Sequence, residues 1–221
     1  MTKLKKSEVK ELIDKICSTL TDKIHRESPE IDAERLEIID YGLHIIIGEI
    51  PKQFIILGIA YLLGVFKSTL LVVLLLLPYR AVSGGFHLKT HIGCIVSTTL
   101  YYCGIAKISN IVVFYSPVEL LIILLVWIFG LAMITLYAPA DTENVPILRK
   151  RERLQKKVLS YIFFSIGLLA AGIIQNNQIS NILIFGNLVQ SIMISRLAYK
   201  LTNNKYGYEV YNQNETSITT Q

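Results

Sequence analysis

The 221-residue chain is 52% hydrophobic and 18% charged, with a formal net charge of +5 and a mean hydropathy of +0.48; soluble chains average about 25% charged residues, so this composition is shifted towards lipid. Residues 1–41 hold eight basic and ten acidic side chains, whereas the stretch from Gly42 to Ala138 holds only Glu49, Lys52, Lys67, Arg80, Lys89, Lys107 and Glu119. Uncharged runs this dense leave too little polar surface to cover a water-soluble sphere, which excludes a soluble enzyme, and Lys and Arg flanking apolar spans are an orientation signal rather than a nucleic-acid surface.

The first element is a charged head, residues 1–41. Val9, Leu12, Ile13, Ile16, Leu20 and Ile24 recur at steps of three and four, the period of one helical face, with Lys, Glu and Asp between them. This pattern predicts an amphipathic helix lying on the membrane or on the protein itself. Ser28-Pro29 breaks it, and Ile31 to Tyr41 reads as a second short helix leading into the bilayer. Met1 to Asp40 contains no apolar run of the kind a cleaved signal needs, so the first span is expected to stay as an anchor.

The body, residues 42–200, contains apolar stretches at about 43–66, 68–79, 92–106, 111–138, 158–175 and 179–199. A hydrocarbon core of about 30 Å needs about 20 helical residues. The first, fourth, fifth and sixth stretches qualify; the second and third read either as tilted spans with polar ends or as re-entrant helices. The fold class is therefore all-α: a polytopic integral membrane protein of about six transmembrane helices, preceded by an amphipathic helical region. With six crossings, one side receives the basic head, Arg80 and Lys89, the cluster Arg149 to Lys157, and Arg196, Lys200 and Lys205, while the other receives only Lys67 and Lys107. Positive loops stay in the cytoplasm, so both termini are expected there. The last segment, residues 201–221, is rich in Asn, Thr, Tyr and Gln and reads as a solvated tail.

Three cysteines, Cys17, Cys94 and Cys103, are too few for a disulfide scaffold. Cys17 and Cys103 read as structural. Cys94 closes the informative segment Arg80-Ala-Val-Ser-Gly-Gly-Phe-His87-Leu-Lys-Thr-His91-Ile-Gly-Cys94, which the charge partition sets at the cytoplasmic boundary. A thiol nucleophile needs a base to form its thiolate, and a histidine suits that role. On one continuous helix His87 and Cys94 would share a face but stand about 10 Å apart along the axis, too far for direct proton transfer. A chain reversal at Gly84, Gly85 or Gly93 can bring them together; His91 would be nearer without one. Two other readings stand beside this. His87, His91 and Cys94 follow an i, i+4, i+7 pattern that could align zinc ligands, although no carboxylate nearby completes the set. Alternatively, the histidines lie at headgroup level and the cysteine is a small buried hydrophobe.

These residues resemble the AgrB family of bacterial integral-membrane cysteine endopeptidases, which process AgrD-type pro-peptides into cyclic autoinducers. The similarity rests on Arg80, Gly84, Gly85, His87 and Cys94, on Tyr137-Ala-Pro-Ala-Asp141-Thr-Glu-Asn-Val-Pro146 followed by a basic cluster, and on the charged head, and it spans the whole chain. The resemblance implies one membrane-embedded peptidase domain with His87 as base and Cys94 as nucleophile, Gly84 and Gly85 as the turn and Arg80 as a residue that positions substrate or anchors the segment. Arg149, Lys150 and Arg151 are expected to meet an acidic part of the pro-peptide, and Glu49 and Asp141 are candidates to orient the histidine. An intramembrane carboxylate such as Glu49 is costly and usually paired, and Lys52, three residues on, could pair with it. The reading takes no metal and no cofactor. Its partners are an AgrD-like pro-peptide and membrane lipid, with a homodimer allowed and nucleic acid excluded. The competing class is a small peptide exporter or channel, with Glu49, Arg80, Gln175, Asn176, Asn177 and Gln190 lining a path.

Overall fold

The computed structural model describes residues 4–210 apart from Lys89, Asn144, Val145 and Leu148; of residues 4–11, Ala33, Glu34, Glu37, Ile38, Tyr41, Ile45, Glu49 and His91 it describes the backbone alone. Among the described residues there are helices and no strand: α1 (Leu4–Glu27), α2 (Ala33–Leu62), α3 (Phe66–Ser83), α4 (His91–Ile111), α5 (Ser116–Tyr137), α6 (Lys150–Ile173), α7 (Asn177–Met193) and α8 (Arg196–Leu201). In lipid every backbone polar group must be satisfied within the protein, which apolar sequence achieves by staying helical.

The amphipathic helix α1 takes one of the two placements its pattern allows, on the protein itself. It packs on α2 through the buried Cys17, while Leu12, Ile16 and Leu20 stay exposed along its length. Burial first, and then the nearby Asp40 and Asp14 carboxylates, push the Cys17 thiol up from its ordinary value. Polar contacts fix the register of the pair: Thr21 Oγ1 donates to Asp40 Oδ1 at 3.0 Å, and His44 Nε2 lies 3.3 Å from Asp14 Oδ1.

The short second helix of the head does not end at Tyr41. It runs unbroken into the first span as the 30-residue α2, started by Asp32, whose side chain accepts from the Arg35 backbone N–H. No proline interrupts it before Pro51, and entry into lipid favours continued backbone pairing. Among the described residues, five helices contain segments long and apolar enough to cross a membrane: Gly42–Leu62, Phe66–Ser83, Ile92–Ile111, Ser116–Tyr137 and Lys150–Ile173. The second and third apolar stretches are thus continuous helices of spanning length. The sixth differs from the expected full span: α7 has 17 residues, and Ser195, capping α8 through the Ala198 N–H, starts a new helix. The short α7 is surrounded by α3, α4, α5 and α6, so its neighbours rather than lipid meet most of its surface.

That enclosure explains why α7 carries buried polar residues. Asn181 Nδ2 donates to Val112 O at 2.7 Å, Asn187 Nδ2 to Leu183 O at 2.7 Å, and Ser191 Oγ to Asn187 O at 2.8 Å; a buried polar group costs little once paired. Small residues let the helices approach: Gly186 of α7 meets Leu76 of α3, and Gly130 of α5 meets the Phe164 ring of α6. Ring contacts continue this core, with Tyr79 and Phe164 at 5.4 Å between centroids. Short connections reverse successive helices, so the C-terminal ends of α3, α5 and α7 gather at one end with the N-terminal ends of α4 and α6. At the opposite end Ser68 of α3 accepts from Asn110 of α4 and Gln178 of α7.

Candidate active site

The segment between α3 and α4 turns at its two glycines. Gly84 has φ 74° and Gly85 φ 139°, a region that disfavours residues with a Cβ. A Cβ on Gly84 would also run into the Ala140 carbonyl. That close approach is used: Gly85 N–H donates to Ala140 O at 2.9 Å and Ala140 N–H to Ser83 O at 2.8 Å, so a two-strand-like bridge ties the turn to the segment after α5.

A side chain from α7 clamps the same turn. Gln190, fully buried, donates from Nε2 to Ser83 Oγ at 2.9 Å and to Gly84 O at 2.8 Å, while its Oε1 accepts from Arg80 Nη1 at 3.0 Å. Arg80 Nη1 also lies 3.4 Å from Met193 Sδ. Arg80 therefore points into the bundle, towards α7.

Beyond the turn the chain is without regular structure to Leu88 and re-enters a helix at His91. Thr90 caps α4, its Oγ1 accepting from Gly93 N–H at 2.8 Å, and the Cys94 N–H donates to Thr90 O at 2.8 Å. Cys94 thus stands in the first turn of α4, half-buried, and His87, exposed, in the non-helical segment before it. The reversal brings both to one cavity of about 50 Å³, whose other walls include Lys52, Gln53, Arg80 and Tyr102. His91, the alternative base and third zinc-pattern residue, has its side chain outside the described ones.

His87 also borders a second cavity of about 150 Å³ with Asp141 and Lys156. The Asp141 side chain is fully buried; Oδ2 accepts from Arg153 Nη1 at 3.1 Å and from Ile147 N–H at 2.9 Å, and Oδ1 has no hydrogen-bond partner among the described residues. Its primary contact is thus Arg153. Glu49 lies in α2, but its side chain is outside the described ones. Arg149, Lys150 and Arg151 are exposed at the start of α6; further along it Lys156 pairs with Glu152 at 2.8 Å and Lys157 donates to Thr135 O at 2.7 Å.

Some residues at this site carried a different reading in the sequence. Gln190, read as lining a path, is saturated by Arg80, Ser83 and Gly84; Asn176, another path residue, accepts from the Ile179 N–H as the cap of α7; Lys52 borders the Cys94 cavity, while the side chain of Glu49, with which the sequence could pair it, lies outside the described ones. The signal was present in each case as a polar residue inside an apolar run, without the partner. The early part of the tail is not a free solvated end either. Tyr206 is buried, its ring stacked 4.1 Å from that of Tyr199, and Tyr199 OH donates to Ala140 O at 2.8 Å. Burial pushes both phenols up from their ordinary range. Tyrosine provides this packing because its ring is apolar and only its hydroxyl needs a partner. Residues 211–221 lie outside the described ones.

Residues 17–194 match the family model AgrB, accessory gene regulator B. An AgrB-like protein of Listeria innocua serovar 6a is 32% identical over 184 residues, covering 81% of this chain and 87% of that protein. The accessory gene regulator protein B of Staphylococcus saprophyticus is 27% identical over 155 residues, 69% of this chain and 77% of that one. That of Staphylococcus epidermidis is 23% identical over 183 residues, 83% and 91% of the two chains. No solved structure matches the chain.

Proposed function

The chain belongs to the AgrB family of accessory gene regulators, and on that premise we propose that this membrane protein is a cysteine endopeptidase that cleaves an AgrD-type pro-peptide and closes it into a cyclic autoinducer for quorum sensing. The observation that carries the reading is the meeting of His87 and Cys94 at one small cavity, across a turn built from Gly84 and Gly85.

The chemistry follows from those two groups. His87 takes the thiol proton and Cys94 Sγ adds to a peptide carbonyl in the C-terminal part of the pro-peptide; the C–N bond breaks, the amine leaves with the proton returned by His87, and a thioester remains on Cys94. A cysteine or serine side chain of the bound peptide then attacks that thioester, forming the ring as a thiolactone or lactone and releasing the Cys94 thiol. Exchange of one thioester for another is nearly isoenergetic. Formation of the thioester from an amide is uphill, so a site that keeps water away preserves the intermediate. The position of Cys94 in the first turn of a membrane-spanning helix supports that reading.

The exposed Arg149, Lys150 and Arg151, at the end of the bundle that holds His87, suit an acidic peptide segment lying along the interface. The Lys and Arg partition of the sequence supports a cytoplasmic position for this end and both termini. The test is co-expression with a candidate pro-peptide: Cys94→Ala and Cys94→Ser remove cleavage at normal protein levels, and mass spectrometry of the active protein finds a peptide acyl adduct on Cys94. Retained cleavage in Cys94→Ala refutes the assignment.

A further inference from the structure

We propose that the cleft beside α8 binds the headgroup of an anionic phospholipid. The chain leaves α7 at Met193 and starts α8 at the Ser195 cap, at the end of the bundle that holds His87. The six residues of α8 divide into strips. Ala198 and Tyr199 are buried against the protein, Arg196 and Lys200 are exposed one turn apart, and Leu197 and Leu201, also one turn apart, are 65% and 76% exposed. At about 100° per residue the basic strip lies between the buried tyrosine and the leucines. A cationic strip beside an apolar one, set where a membrane helix ends, is the arrangement of an element lying in the interface plane.

Lys205, from the segment after α8, joins Arg196 and Lys200 around a cleft of about 350 Å³ that has Tyr199 and Tyr206 among its other walls. Glu209 is the one acid among the described residues that line it, and it lies 3.6 Å from Arg196. Lys200 and Lys205 make no ion pair among the described residues, so the described lining carries two positive charges in excess. The volume is at the lower end of ligand clefts, about 300–1,000 Å³, which suits a phosphodiester with a small polar group on it, and basic pockets at the ends of membrane helices take such headgroups. The leucines decide between a lipid and an acidic peptide as the occupant. A peptide carboxylate would satisfy the lysines and leave Leu197 and Leu201 in water, whereas a lipid covers both, with its phosphate on the basic strip and the start of its acyl chains on the leucines. Selectivity among lipids follows from the charge. Phosphatidylglycerol brings one negative charge and hydroxyl groups, to one of which Asn204, whose Nδ2 is held by Thr202, offers its amide oxygen. A choline headgroup would bring its own cation towards Lys200 and Lys205.

The test is native mass spectrometry of the purified full-length protein with phosphatidylglycerol and phosphatidylcholine of matched chains in competition. It involves no proteolysis, so its outcome is independent of the endopeptidase reading. Wild type retains phosphatidylglycerol in preference to phosphatidylcholine by about 25-fold, because each of two lysines near an anionic headgroup is worth about fivefold. Lys200→Gln and Lys205→Gln each lower the preference about fivefold, the double variant removes it, and Lys200→Arg with Lys205→Arg keeps it. Lys150→Gln with Arg151→Gln takes as much charge from the same end of the bundle and keeps the lipid. Thermal unfolding in detergent is the second readout: phosphatidylglycerol raises the Tm of wild type and not that of the Lys200→Gln, Lys205→Gln variant. Equal retention of the two lipids by wild type, or a preference kept by that double variant, overturns the site. An equal loss in Lys150→Gln with Arg151→Gln also overturns it, by reducing the effect to the general attraction of a basic surface. A preference that emerges only after residues 211–221 are removed assigns the cleft to the chain's own tail, and displacement of the lipid by a soluble acidic peptide assigns it to a peptide; either result overturns the lipid.

Discussion

Replacing Gln190 by Leu tests whether the Gly84–Gly85 turn is held from α7. The substitution keeps an apolar-compatible volume but removes three hydrogen bonds, to Arg80 Nη1 at 3.0 Å, Ser83 Oγ at 2.9 Å and Gly84 O at 2.8 Å. Polar side-chain bonds between membrane helices average about 0.6 kcal/mol, and a bond to a charged group is worth about 1.5–3 kcal/mol. Two of the first kind and one of the second give a loss of about 3–4 kcal/mol. Part of this falls on the folded state as a whole and part on the position of Gly84 and Gly85, and a shift of about 1 Å in a reacting group is enough to cost about 10²-fold in rate. The assay is paired: pro-peptide cleavage per unit of inserted protein, and thermal stability in detergent. Gln190→Leu is expected to lower cleavage about 10²-fold and to reduce stability. Gln190→Glu separates the two ends of the clamp, because it keeps an acceptor for Arg80 but turns a carboxylate oxygen towards the Gly84 carbonyl. It is expected to recover stability more than cleavage. Cleavage by Gln190→Leu within twofold of wild type would refute the clamp.

Gly84→Ala puts a Cβ where φ is 74° and ψ −146°, a conformation that is essentially glycine's alone and costs other residues about 1–3 kcal/mol, in addition to the clash with Ala140; cleavage falls sharply while insertion, read by protease accessibility, is unchanged. Reversing Arg149, Lys150 and Arg151 to Glu raises the KM for an acidic pro-peptide several-fold, and added salt weakens wild-type binding in the same sense; equal processing by correctly inserted protein would remove these residues from substrate binding. Arg153→Met leaves the buried Asp141 carboxylate without its cation and costs about 3–5 kcal/mol, measured as a fall in Tm, and Asp141→Asn in the same background recovers part of it. Cys17, whose thiol burial pushes up, carries less thiolate at pH 8 than a free cysteine and is alkylated at least tenfold more slowly than the same peptide after unfolding.

The segment from Arg80 to Cys94 and the spans around it were legible in the sequence, but not the geometry that joins them. Hydropathy is summed along the chain, and lipid tolerates only a few backbone solutions, so composition and charge spacing by themselves determined an all-helical membrane protein with a charged amphipathic head. The same local signals marked His87, His91 and Cys94 and showed that His87 and Cys94 would need a turn between them, while the family resemblance chose His87 over His91. Which helix rotates which side chain towards that turn depends on packing between distant elements, set by contacts such as Gly186 against Leu76 and Gly130 against Phe164. Only the tertiary structure therefore decided that Gln190 clamps Gly84, that Asp141 pairs with Arg153, that Tyr206 of the tail stacks on Tyr199, and that Lys52 comes to the Cys94 cavity. A polar residue in an apolar run announces that it has a partner; its identity is decided by the depth and rotation of helices, which hydropathy does not encode.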